Sequence, residues 1–122
     1  MKEDIRLPHS HNHSLTIEQI ADIMPDDHTI TMVANAMKQL GDPSRLRIFW
    51  LLCHTEECVI DIASIVNMTS PAVSHHLKLL KNAELITSRR EGKEMFYKAA
   101  DTKLSQALHL IIEQIADITG SP

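Results

Sequence analysis

The run Met68–Ala99, MTSPAVSHHLKLLKNAELITSRREGKEMFYKA, constrains the fold of this chain more than any other stretch. After a short polar turn, Asn67-Met68-Thr69, the apolar residues Val73, Leu77 and Leu80 recur at helical spacing, which predicts an amphipathic helix over Ser70–Asn82. Ser70-Pro71 reads as a capping residue followed by proline: a hydroxyl can accept from the free first-turn amides, and proline has no amide to leave unpaired. Ser74, His75, Lys78 and Lys81 fall off the buried stripe. Leu85–Arg89 and Met95–Ala99 read as two strands joined at Glu91-Gly92-Lys93, where Gly92 can supply the positive φ of a tight turn.

A helix followed by a hairpin with a basic tip is the layout of a winged helix-turn-helix, a fold that reads double-stranded DNA. A formal net charge of −4 runs against DNA binding, so the distribution of charge decides the matter. Between Thr69 and Lys98 six cations face three acids, a net +3 that leaves −7 for the rest of the chain. Phosphates respond to the local field, and positive charge is gathered where the reading head would lie.

The remaining chain predicts a small helical domain. With 122 residues there is one core of modest size, of the kind that often completes its burial by dimerising. Aromatics are only 3% of the residues, so Leu, Ile, Met and Val must build that core. Helices are expected over Thr16–Met24, Thr29–Leu40, Arg45–Cys53, Val59–Val66 and from Asp101 to about Thr119. Asp42 can cap the third of these, and Pro43 suits its first position. The last helix carries Leu104, Leu108, Ile111, Ile112, Ile115 and Ile118, a wide stripe that suits a partner subunit better than water. Residues 1–15 read as a flexible His-rich arm, and 16–119 as the folded domain. No apolar run approaches the roughly 18 residues of a membrane span, and the start MKEDIRLPHSH lacks a secretory apolar region. Cys53 and Cys58 read as reduced thiols of a cytoplasmic protein rather than as a disulfide framework.

Four motifs in order, LGDPSRLRIFWLL, ECVIDIA, SPAVSHHLKLLKNAELI and REGKEMFYKA, resemble the ArsR/SmtB family of dimeric metal-sensing repressors, over roughly Met32 to Ile118. The resemblance implies a mostly α fold with a small β-hairpin, a winged helix-turn-helix that dimerises through its first and last helices. It also implies a homodimer that binds an inverted-repeat operator and releases it when metal binds, controlling efflux or resistance genes. Base edges would be met by Ser70, Ser74 and His75, phosphates by Lys78 and Lys81, and phosphate or the minor groove by Arg89, Arg90 and Lys93 on the wing. The family pattern has glutamine where this chain has His76, and either His75 or His76 could instead pack against a neighbouring helix. A dimer would place half-site centres roughly 34–36 Å apart.

Two metal sites recur in the family. At the last-helix site the family's imidazole-rich pattern falls on Asp101, Lys103, Gln114 and Asp117, which breaks it. His109 and Glu113, at i and i+4, remain as a pair there, with a surface or interface histidine as the simpler account. The other site pairs the ECVID motif with the N-terminal arm. Cys58 and Asp61, three apart, share a helical face, and His9, His11 and His13 point one way in an extended segment. Thiophilic-ion sensors of the family carry Cys-x-Cys, but Ile60 stands at the second cysteine position. One sulfur, two or three nitrogens and one oxygen suit tetrahedral Zn(II), with Cd(II), Co(II) or Ni(II) as alternatives. Cys53 and His54 read as a core thiol and a helix-end histidine.

Two other functions fit parts of the pattern: a metal-independent or thiol-redox winged-helix regulator using the cysteines, and a metal-buffering protein. An enzyme does not fit, because the chain offers no nucleophile–base pair and no Gly-rich phosphate loop.

Overall fold

The structure is a computed structural model that describes His9 and residues 14–120. The chain divides into two compact units, Met1–Val33 and Ala34–Pro122. Its elements run α1 (Ile17–Ile23), α2 (Asp27–Gln39), α3 (Pro43–His54), β1 (Glu57–Cys58), α4 (Val59–Val66), α5 (Ser70–Asn82), β2 (Ile86–Glu91), β3 (Glu94–Ala99) and α6 (Lys103–Gly120).

In the first unit, α1 begins with a reciprocal cap. The Thr16 hydroxyl accepts from the Gln19 amide at 3.1 Å, and the Gln19 side chain accepts from the Thr16 amide at 2.8 Å. Asp26 accepts from the Thr29 amide at 2.8 Å as α2 starts, which holds the Asp26 carboxyl below its usual pKa.

In the second unit, α3 and α5 cross over a shared core with α4 against them. Ile48, Phe49 and Leu52 of α3 meet Ile62 and Val66 of α4 and Val73, Leu77 and Leu80 of α5. Phe49 is fully buried, and aliphatic side chains fill the space around it as the composition requires. Asp42 caps α3 by accepting from the Arg45 amide at 2.9 Å, with Pro43 in the first turn as expected. Recognition-type helix α5 is capped one residue earlier than the sequence suggests. Thr69, not Ser70, accepts from the Ala72 amide at 3.3 Å, and Ser70 is already helical. Helix α6 starts later than expected, at Lys103: the Thr102 hydroxyl accepts from the Ser105 amide at 3.2 Å and Asp101 stands outside the helix.

The sheet has three antiparallel strands in the order β1-β3-β2. The hairpin is the expected one, with Gly92 at φ +64° in its turn and Glu91 opposite Glu94. β1 was not expected: a two-residue strand has no periodicity to read, and it exists only because Glu57 and Cys58 pair with Tyr97 and Phe96. Among the described residues, two non-glycine residues take left-handed backbone, Asn67 after α4 and Glu84 between α5 and β2. No helix among the described residues is long and apolar enough to cross a membrane.

Candidate nucleic-acid interface and metal-ligand cluster

The buried stripe of α5 fixes what its other face presents. Because Val73, Leu77 and Leu80 point into the core, Ser70, Ser74, His75, Lys78 and Lys81 are all exposed. Ser70, Ser74, Lys78 and Lys81, spaced by four, four and three residues, line one side of the helix. Lys81 reaches the wing, donating from Nζ to the Ser88 hydroxyl at 2.6 Å.

The two histidines separate. His75 is exposed, whereas His76 is mostly covered and takes a hydrogen bond at Nδ1 from the Arg45 guanidinium at 3.3 Å. Arg45 also donates to the backbone oxygen and side chain of Gln39, at 3.2 and 2.9 Å, so His76 sits in a polar seam joining α2, α3 and α5. Burial lowers the His76 pKa; the Asp42 carboxylate 3.9 Å away opposes this, and Arg45 and His75 reinforce it. His76 is therefore the packed histidine of the pair.

On the wing, Arg89 is paired within the protein. Its guanidinium grips Glu56 through Nε and Nη2, the shortest contact being 2.7 Å. It also donates to Glu91 at 2.8 Å and lies 5.1 Å from the Phe96 ring centroid. These hydrogen bonds hold Glu56 below the usual carboxylate range and Arg89 above its already high value. Arg90 and Lys93 stay exposed, Arg90 donating only to the backbone oxygen of Gly92 at 3.3 Å.

The sequence-derived metal ligands are spread over both units. Cys58 is buried at the junction of β1 and α4, and Asp61 is exposed in the first turn of α4. His9 is exposed and belongs to the first unit. His11 and His13 lie outside the described residues. Asp101, Lys103, Gln114 and Asp117 are all exposed.

A different set of donors does come together. His54, the last residue of α3, meets His109 and Glu113 of α6. The Nε2 atoms of His54 and His109 are 3.1 Å apart, and Glu113 Oε1 lies 3.0 Å from His109 Nε2 and 3.4 Å from His54 Nε2. The Trp50 indole donates to the same carboxylate oxygen at 2.8 Å. Its ring stands 4.4 Å from that of His54, which meets His109 edge-on at 4.8 Å. The hydrogen bonds from Trp50 and His109 hold the Glu113 carboxyl below its usual pKa. Beside the cluster, burial and the Glu113 charge push the Cys53 thiol up to about 11. The sequence showed the His109–Glu113 pair, but the third donor comes from a residue 55 positions away, for which no local spacing could speak.

Comparison with known proteins agrees with this architecture. Residues 42–88 match the bacterial regulatory protein, arsR family. A transcriptional repressor SmtB homolog from Synechocystis sp. is 29% identical over 104 residues, covering 83% of this chain and 79% of the relative. A cadmium resistance transcriptional regulatory protein CadC homolog from Staphylococcus aureus is 39% identical over 75 residues, covering 61% and 62%. Among solved structures, the homodimeric winged helix-turn-helix DNA-binding domain of a possible ArsR-family regulator from Mycobacterium bovis superposes with a TM-score of 0.68. It is 29% identical and covers 79% of this chain and 91% of that one. With a winged reading head, a matching family core and repressors among its relatives, the chain belongs to the ArsR family of bacterial regulatory proteins, as a transcriptional repressor of the ArsR/SmtB type rather than an enzyme.

Proposed function

We propose that this protein is a homodimeric repressor that occupies an inverted-repeat operator and leaves it when a divalent transition metal, Zn(II) first among them, binds. The observation that carries the DNA half is the exposed row Ser70, Ser74, Lys78 and Lys81 on a helix whose opposite side is locked in the core. The hydroxyls and His75 suit base edges in the major groove, and the lysines suit phosphates. Arg90 and Lys93 extend the positive surface along the wing, and Arg89 serves by holding the wing to the segment before β1.

The metal half is supported by the cadmium-resistance regulator among the relatives and by the donor chemistry of the chain. The sequence-derived ligands His9, His11, His13, Cys58 and Asp61 offer nitrogen, sulfur and oxygen in the proportions of a tetrahedral zinc site. A thiol-redox switch is less well supported. The thiolate is the reactive form, and Cys53 is held protonated at neutral pH while Cys58 is buried.

A reporter fused to the promoter that the repressor occupies tests the proposal in cells. Expression is expected to rise when Zn(II) is supplied and to be constitutive when the repressor is deleted. Induction by a thiol oxidant but by none of Zn(II), Cd(II), Co(II) and Ni(II) would sink the metal half and favour the redox alternative.

A further inference from the structure

The cluster of His54, His109 and Glu113 is not used by the reading head. We propose that it is a binding site for a divalent first-row transition ion, and that the ion, by tying the end of α3 to α6, shifts the dimer away from the geometry that fits DNA. The regulatory part rests on the metal-responsive function proposed above; the binding part does not.

Geometry carries the binding part. Four donors around zinc at roughly 2.0–2.1 Å stand about 3.3 Å from one another, the edge of a tetrahedron of that radius. The three edges here are 3.0, 3.1 and 3.4 Å, so the two imidazole nitrogens and the carboxylate oxygen already form one face of such a tetrahedron. Hydrogen bonding alone does not satisfy all three edges of this triangle at once. A neutral imidazole Nε2 is either donor or acceptor. If both nitrogens carry protons and donate to Glu113, two N–H groups face each other across 3.1 Å. If His54 donates to His109, a bare nitrogen faces the carboxylate across 3.0 Å, and if His109 donates to Glu113, the bare His54 nitrogen stands 3.4 Å from that carboxylate without a hydrogen bond to it. A cation satisfies all three edges at once.

The surroundings suit an ion as well. The Trp50 indole holds Glu113 Oε1 by a hydrogen bond, as partners of metal ligands do, and its ring lies against His54. Two nitrogens and one oxygen favour Zn(II), Co(II) or Ni(II) over calcium and magnesium, which take oxygen, and over Cu(I), which takes sulfur. The side chains of His54, His109 and Glu113 are 45, 29 and 42% exposed, so the fourth position faces water and the ion can enter and leave.

The position gives the ion leverage. α3 carries Arg45, which holds His76 of α5, and its buried residues pack directly on the recognition helix. α6 carries the exposed apolar residues Leu110, Ile111, Ile115 and Ile118, the surface offered to a second copy. An ion at the cluster joins the helix behind the reading head to the helix that sets the spacing of the two heads. It stabilises whichever arrangement brings the three donors closest.

Zn(II) affinity by chelator competition and Co(II) absorption spectra, measured on the full chain, test the site. His54→Gln and His109→Gln are each expected to weaken Zn(II) binding by more than the roughly 10–100-fold that loss of an outer partner costs. Both should erase a tetrahedral Co(II) spectrum that survives in Cys58→Ser/Asp61→Asn. Long-range proton–nitrogen NMR of the wild-type protein needs no substitution: the Nε2 signals of His54 and His109 are expected to move together on the first equivalent of Zn(II). Unmoved signals with unchanged affinity in both histidine variants would overturn the site. Operator release by Zn(II) that persists in those variants would overturn its regulatory part and leave the metal-responsive repressor standing. Zn(II) bound at the cluster with no effect on operator affinity would keep the site and overturn its regulatory part.

Discussion

His75 and His76 are neighbours with opposite environments, because a helix turns about 100° per residue and only one of them faces α3. The consequence for His76 is measurable. Burial holds its pKa below the ordinary 6.5, so the unfolded chain takes up the proton first as pH falls. Stability is intact above that ordinary value and is lost as pH falls through the lowered folded-state value. His76→Gln is expected to flatten the dependence of the urea midpoint on pH between about 7 and 5; an unchanged slope would place the proton uptake elsewhere. Thr69 acts on the same helix from its N-terminal end. Thr69→Ala removes the hydroxyl that accepts from the Ala72 amide, and is expected to cost about 1 kcal/mol in urea denaturation. Glu84 offers the reverse case, an L residue at φ +62° where the chain leaves α5. Relief of that strain is expected to make Glu84→Gly more stable by roughly 1 kcal/mol, less the entropy glycine adds to the unfolded chain.

The recognition helix and the wing were legible in the sequence because their signals are local. Val73, Leu77 and Leu80 mark a helical face within eight residues, and Gly92 marks the turn of a hairpin whose strands adjoin it. β1 was not legible, since two residues become a strand only through partners about 40 positions later. The cap of α5 was misplaced by one residue because Thr69-Ser70 offers adjacent capping oxygens, and only the backbone decides between them. The wing's cations were read alike, yet the structure divides them. Arg90→Ala or Lys93→Ala is expected to weaken binding to all DNA sequences alike and to lower the slope of log affinity against log salt by about one each. Arg89→Ala is expected to leave that slope nearly unchanged while loosening the wing, because its guanidinium is committed to Glu56 and Glu91. Equal loss of slope in all three variants, read by fluorescence anisotropy over a salt series, would contradict this division.

At the scale of the molecule, a chain of net charge −4 concentrates +3 between Thr69 and Lys98, and among the described residues it exposes large apolar side chains on both α2 and α6. Ile111→Glu/Ile115→Glu is expected to convert a dimer to monomers in sedimentation equilibrium. Operator affinity should then fall on the order of 10²-fold or more, because each head binds without its linked partner. The proposed metal site was the least legible part. Its best-formed donors, His54, His109 and Glu113, are joined only by the packing of α3 against α6, while the sequence drew attention to the arm and to Cys58. The central claim is that metal occupancy and operator occupancy oppose each other in one protein. It is tested most directly by fluorescence anisotropy of the metal-free protein bound to its operator, titrated with Zn(II). Release is predicted to be complete by about one ion per chain and to be reversed by a chelator. Anisotropy that stays constant through several equivalents, with the ion shown to be bound, would contradict it.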